Sequence, residues 1–428
     1  MSGAAGSAVD IALAGRPPAV AGAAQQLLNA VLFLTVLTSS LAFIEPSPHD
    51  ALMFGLLAIA IAARVPFDRK LVPLLLLLTV WLVGGLLSLI QVGDQQKPIQ
   101  YVATSAYLGV AALLFACLFS DGDRVRLSIL RRGYLLAALI AAAAGYVGFF
   151  HLLPGSNIFL DFYEGTTIAR VSSTFKDPNV YGPFLVFPLL ILMLGFLTRG
   201  ITLGALALTI AMLGGVLLSF SRGAWFHFAV SAVAAVAILY AVTADPRMRG
   251  RIVMLGSIAA AAMLLLVVAM LSISSVHDIF LERAKAIQPY DVGPGGRFWL
   301  QKIALGAILE HPNGMGPFEF ARIYGGQQHD VYMEGFLVYG WLGGAAYLAI
   351  VLVTLGLGLR TVHAATPWQT YLIAAYAAFV GEAFEGFIID TDHWRHFFLL
   401  LGMSWGLSIA TINDRRRQRI AALHSGLY

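Results

Sequence analysis

LVPLLLLLTVWLVGGLLSLIQ, residues 71–91, runs from Leu71 to Gln91 without an acidic or basic side chain. The hydrocarbon core of a bilayer is about 30 Å thick, which a helix of about 20 apolar residues crosses. This run therefore reads as a membrane span. Similar runs flank it at 27–45, 51–65, 98–119, 133–152, 181–198, 201–219, 224–243, 252–274, 335–358, 368–389 and 396–412. The expectation is an all-α, polytopic transmembrane bundle of about 12 spans. Composition agrees: of 428 residues, 59% are hydrophobic and 12% charged. A soluble domain carries about 25% charged residues, so the composition excludes a soluble enzyme. The single cysteine, Cys117, lies in an apolar run and excludes a disulfide framework.

Three regions follow. Residues 1–24, rich in Ala, Gly and Pro, read as a flexible cytoplasmic arm without the pattern of a cleaved secretory signal. Residues 25–412 read as the transmembrane domain, including a long loop at 275–334, and residues 413–428 as a basic cytoplasmic tail. Orientation follows from Lys and Arg, which concentrate in cytoplasmic loops. With the N-terminus inside, the cytoplasmic segments hold Arg16, Arg64, Arg69, Lys70, Arg124, Arg126, Arg131, Arg132, Arg199, Arg247, Arg249, Arg251, Arg360, Arg415, Arg416, Arg417 and Arg419. The short outer loops hold only Lys97, Arg170, Lys176, Arg222 and Arg395. Both termini are therefore expected in the cytoplasm and the 275–334 loop outside. Within that loop, RFWLQKIALGAILEH (297–311) places Phe298, Ile303, Ala307 and Ile308 in helical register, an amphipathic helix for the membrane–water interface.

The outer loops are poor in charge, so their polar residues are the site candidates. The loop 153–180 carries Arg170, Lys176 and the helix-start signal Asp177-Pro178-Asn179. Asp177 and Asn179 read as caps, whereas no cap requires the guanidinium of Arg170. SFSRGAW (219–225) sets Arg222 in a tight turn between two apolar spans, and a cation at a membrane edge either snorkels to water or serves a site. Arg297 opens the amphipathic helix, either as an anchor to anionic headgroups or as a ligand-binding group. His329, followed by Asp330 and Glu334, stands just before an apolar span. Paired guanidinium donors match phosphate oxygens, and imidazole exchanges protons near neutral pH. That set suits displacement of a lipid diphosphate by a sugar hydroxyl. His393 and His396, three apart beside Asp390, Asp392 and Arg395, have a spacing that metal ligands use, but a polar loop is the simpler reading. No metal or other cofactor is called for.

Four segments, RVSSTFKDPNVYG (170–182), LSFSRGAW (218–225), GRFWLQKIALGAILEHPNGMGPFEF (296–320) and HDVYMEGFLVYGWLGG (329–344), occur in an order that resembles the O-antigen ligase/polymerase superfamily of bacterial membrane glycosyltransferases. The resemblance covers about 166–345 and implies a metal-independent enzyme with a glycosyltransferase-C-like fold in the inner membrane. The implied donor is a glycan on undecaprenyl diphosphate, and the implied acceptor a sugar hydroxyl or lipid A-core at the periplasmic face. Membrane lipids are its surroundings, and nucleic acid has no part. By that resemblance Arg222 and Arg297 contact the donor diphosphate and His329 activates the acceptor. Arg170, Lys176, Asp330 and Arg395 are the expected substrate-binding residues. Members often carry Asn after the histidine, where this chain has Asp330.

Two other readings stand beside it. A secondary transporter or flippase also fits many spans with both termini inside, and Glu382 and Glu385 would then be its coupling carboxylates. A non-catalytic partner in glycan assembly is the third.

Overall fold

The computed structural model describes residues 18–94, 96–162, 169–272, 277 and 292–424. Residues 1–17 of the expected arm, most of 273–291 in the expected loop (Arg283 and Lys285 among them) and 425–428 lie outside the described residues. Each apolar run is helical: α1 (Pro18–Leu37), α2 (Pro48–Ala62), α3 (Val72–Ser88), α4 (Gln96–Phe119) and α5 (Arg124–Phe149). A small antiparallel pair, β1 (Leu160–Phe162) and β2 (Ala169–Val171), sets Asp161 opposite Arg170. Next come α6 (Pro178–Phe184), α7 (Val186–Thr198), α8 (Leu203–Leu218), α9 (Arg222–Val242) and α10 (Pro246–Leu271). The chain closes with α11 (Arg297–Glu310), α12 (Glu319–Tyr324), α13 (Val331–Thr361), α14 (Gln369–Glu385) and α15 (Arg395–His424). The protein is an all-α, multi-pass membrane protein.

Among the described residues, nine helical stretches are long and apolar enough to cross a bilayer. The expected spans at 51–65, 201–219 and 368–389 form shorter helices of 15, 16 and 17 residues. At 1.5 Å per residue they extend about 22–26 Å. Local signals trim them. Ser47 and Asp50 form a capping box at the start of α2, and the Thr202 side chain accepts from the Ala205 amide at the start of α8.

With lipid on the outside, the helices associate by close packing of small residues. A side chain at Gly84 would meet the Gly343 Cα at 2.7 Å, which marks how near α3 and α13 approach. At one end of the bundle, Lys70 Nζ donates to Asn413 Oδ1 (2.6 Å) and Asn413 donates to Asp68 (2.7 Å), while Arg126 pairs with Asp121 and Asp123. The candidate residues gather at the opposite end.

α13 is broken at Gly340, whose φ of 67° and ψ of −174° leave the helical region. The break frees backbone groups that the loop after α11 takes up. Trp341 N–H donates to the Pro312 carbonyl (2.8 Å), and Met315 N–H donates to the Leu337 carbonyl (2.7 Å). This insertion seats α11 on α13 through Leu300, Ala304, Ala307, Met315, Phe320 and Leu337, a small core of its own. Consequently the buried stripe of α11 runs through Leu300, Ala304 and Ala307, while Phe298, expected on the apolar face, is exposed. Packing on α13 selected a face that periodicity alone did not.

Candidate functional site

The non-core end of the bundle is organised around the segment 386–394, which joins α14 to α15. Val331 N–H donates to the Gly386 carbonyl (2.8 Å), and the Tyr332 hydroxyl donates to the Ala383 carbonyl, so the start of α13 lies on the end of α14. That contact brings His329 Nδ1 to 3.5 Å from Asp390 Oδ2. His329 sits in the left-handed region (φ 50°) with its side chain 49% exposed. A backbone of that kind in a residue with a β-carbon is strained, and such strain concentrates at functional sites. Phe220, two residues before Arg222, is left-handed as well (φ 46°).

Asp330 does not turn to His329. Its carboxylate caps α13, accepting from the amides of Tyr332 (2.9 Å) and Met333 (3.0 Å). The carboxylate beside the imidazole is Asp390. Burial and the charge of Asp392 raise its pKa, opposed by His329 and the Asp330 amide, and it stays above the usual carboxylate range. Nothing in sequence spacing pairs position 329 with 390. The available signal was a cluster of charge, Asp390, Asp392 and Arg395, in a short loop on the side where charge is otherwise scarce.

Arg222 and Arg297 are each the first residue of a helix, α9 and α11, and neither helix has an acidic residue in its first turn. A helix N-terminus carries partial positive charge from its free amides, so each guanidinium adds to a positive end. Their neighbours touch the elements that carry His329 and Asp390. Gly223 lies against Glu385 at the end of α14, where a side chain would sit 2.6 Å from Glu385 Oε1. One turn after Arg297, Gln301 Nε2 donates to the carbonyl of Gln328 (3.1 Å), the residue before His329.

Arg170 is buried and engaged behind this site. Its Nε donates to the Ser219 carbonyl (3.3 Å) and its Nη2 to Asn179 Oδ1 (2.8 Å), tying the β2 loop to the turn that carries Arg222. Asp177 caps α6 through the Asn179 amide. Lys176 and Arg395 lie together elsewhere, on the wall of a cavity that His49, His393 and His396 also line. Lys176 pairs with Glu45 (2.8 Å), and Arg395 grips Asp50 with two donors (3.0 and 2.8 Å).

His393 and His396 serve separate partners. His393 Nδ1 faces Asp392 (3.2 Å) and its Nε2 faces the Tyr101 carbonyl (3.2 Å), whereas His396 Nε2 lies 3.3 Å from Glu382. Among the described residues, no group of three or more His, Cys, Asp or Glu side chains is arranged to hold a metal. Glu385 is fully buried with His227, Nδ1 to Oε2 at 2.9 Å. His227 reads in the sequence only as a polar interruption of an apolar span. Comparison with known protein families and with curated proteins returned no match.

Proposed function

We propose that the chain is a membrane glycosyltransferase of the O-antigen ligase/polymerase kind. It moves glycan from undecaprenyl diphosphate to a sugar hydroxyl, on lipid A-core or on a growing surface polysaccharide. The Lys and Arg distribution supports a site on the face away from the cytoplasm, with both termini inside; in this reading that face is the periplasmic side of the inner membrane. The observation that supports the reading is the apposition of His329 and Asp390, with the helix that Arg222 opens lying against Glu385 and the helix that Arg297 opens bonded to Gln328.

In this reading Asp390 accepts a hydrogen bond from the Nδ1–H of His329 and fixes the tautomer, leaving Nε2 as base. Nε2 takes the proton of the acceptor hydroxyl. The acceptor oxygen forms a bond to the anomeric carbon, and the bond from that carbon to the diphosphate oxygen breaks. The electron pair leaves with the lipid diphosphate, whose charge the guanidinium groups and helix N-termini stabilise. Arg170 holds the Arg222 turn in place.

The test is a deletion strain examined for surface glycan and complemented with variants. Arg222→Ala, Arg297→Ala and His329→Ala are each expected to abolish transfer or chain extension at unchanged membrane abundance. Arg222→Lys and Arg297→Lys are expected to impair as well, because an ammonium lacks the planar fork. Lost attachment with accumulated lipid-linked polymer identifies a ligase, and single repeat units identify a polymerase. Three active alanine variants would remove the proposed site.

The fully buried Glu382 and Glu385, beside His396 and His227, favour a second reading. Buried carboxylates of this kind mark ion-coupled transport. In proteoliposomes a transporter or flippase accumulates substrate across the sealed bilayer, and a transferase does not.

A further inference from the structure

Trp341 stands where the membrane begins. From Trp341 to Arg360, α13 runs about twenty residues, or about 30 Å at 1.5 Å per residue, the thickness of a hydrocarbon core. The loop after α11 meets α3 at the same level, where Gly316 abuts the Val92 side chain just past the apolar stretch Arg69–Gln91. Tryptophan favours this boundary, with its ring in lipid and its N–H in a polar layer. The exposed Trp341 donates its indole N–H to the Ile308 carbonyl of α11 (2.7 Å). The C-terminal end of α11 is therefore at the membrane boundary.

The rest of α11 does not rise away from it. In one continuous helix Gly335 and Gly344 would be about 13 Å apart, yet a side chain at Gly335 would lie 3.7 Å from the Gly344 Cα. The part of α13 before Gly340 is thus turned back against the part after it and does not continue the span outward. α11 runs beside that first part in the opposite direction, with Gln301 on the Gln328 carbonyl and Ile308 on Trp341.

One stripe of α11 faces away from α13. Phe298, Lys302, Leu305 and Leu309 stand at i, i+4, i+7 and i+11, on one side of a helix. Leu305 is 55% and Leu309 71% exposed. Lys302 has a stem long enough to carry its ammonium out to the headgroup layer. Periodicity in the sequence aims Ala307 at the interface together with Phe298; packing takes Ala307 onto α13 and leaves this stripe outside. At its Leu309 end the stripe reaches Trp341, beyond which the exposed Leu342 and Leu352 form the lipid-facing wall of the span.

We propose that Phe298, Leu305 and Leu309 form a membrane-docking surface, covered by the acyl chains of phospholipid in the leaflet on the side of the candidate site. Phospholipid is the occupant because the stripe runs on from the lipid-facing wall of α13 at membrane level, as an interfacial helix does. The proposal goes beyond the transferase reading and holds equally for a transporter. Within the transferase reading, Arg297 opens the docked helix and Gln301 holds the residue before His329, so the leaflet helps to seat both.

The test uses the full chain with Cys117→Ser, which removes the single native cysteine. Phe298→Cys, Leu305→Cys and Leu309→Cys each carry a nitroxide label in phosphatidylcholine–phosphatidylglycerol nanodiscs, so that one misfolded variant does not decide the result. Power-saturation EPR reads collision with oxygen, which concentrates in hydrocarbon, and with a water-soluble nickel chelate. Leu342→Cys is the lipid reference, and Asp94→Cys, exposed in the loop after α3, the water reference. Labels at 305 and 309 are expected to follow position 342, with oxygen the more effective relaxant, and the label at 298 to lie on the same side of the Asp94 value. Labels that follow position 94 would place the stripe in water and overturn the proposal. Labels shielded from both reagents would show a protein cover, another part of the chain or a second copy, and overturn it as well. The measurement needs no turnover, so failure of the transferase reading leaves its outcome unchanged.

Discussion

Position 330 is a cap: the carboxylate there accepts two backbone amides at the start of α13, and an asparagine caps equally well. Asp330→Asn is therefore expected to leave stability and transfer near wild type, while Asp330→Ala lowers stability by about 1 kcal/mol in chemical unfolding. Asp390 is a different case. In the transferase reading it orients His329, and Asp390→Asn is expected to lower transfer about hundredfold or more at equal abundance, the range of general-base assistance. The Asp392–His393 pair sets a pH dependence. His393 Nδ1 faces Asp392 (3.2 Å), and its Nε2 faces the Tyr101 carbonyl (3.2 Å) and the Ser105 hydroxyl (3.1 Å). Burial alone lowers the His393 pKa, but Asp392 and the Tyr101 carbonyl outweigh it and raise it. Burial likewise pushes Asp392 up, and His393 with the Tyr101 hydroxyl holds it below its usual value. A raised histidine stabilises fully below its ordinary pKa of about 6.5 and loses that contribution as pH rises through the raised value. The depressed carboxylate stabilises above about pH 4 and loses its contribution on acidification. The thermal midpoint of the purified protein is expected to fall as pH rises above about 6.5, and the His393→Gln profile to be flatter there. His329 was legible as a polar residue at the head of an apolar span. Asp390 was not, because only the docking of α13 on α14 brings the two together.

Among the elements, α11 and α13 depend on one residue. A side chain at Gly340 would lie 2.6 Å from the Asn313 carbonyl carbon, and φ of 67° is unfavourable for any residue with a β-carbon. Gly340→Ala is expected to lower stability by about 1–3 kcal/mol and to reduce transfer by unseating the 311–317 loop and α11. Thermal unfolding and a transfer assay check the two effects. Every apolar run in the sequence became a helix because a chain in lipid must satisfy its backbone internally. The break at Gly340 and the buried face of α11 escaped the sequence, since both arise from one element meeting another. Arg222, Arg297 and Arg395 each open a helix, a placement visible in the sequence once the capping signal at Ser221 and the glycines before Arg297 are recognised.

Across the whole molecule, charge and apolarity segregate as a membrane requires, and the candidate groups share one end of the bundle. Arg170 ties two loops behind Arg222, His329 meets Asp390, and Lys176 with Arg395 borders the adjoining cavity. The buried His227–Glu385 and His396–Glu382 contacts lie at the end of α14 and near the starts of α9 and α15 and keep transport as the competing account. Sealed proteoliposomes holding the purified chain, supplied with a labelled lipid-diphosphate glycan and a sugar acceptor on one side, separate the two. The transferase account predicts that label moves covalently to the acceptor with release of lipid diphosphate, and that Arg222→Ala, Arg297→Ala and His329→Ala each stop it. Label crossing the bilayer with its bond to the diphosphate intact, or transfer undiminished in all three variants, would contradict that account.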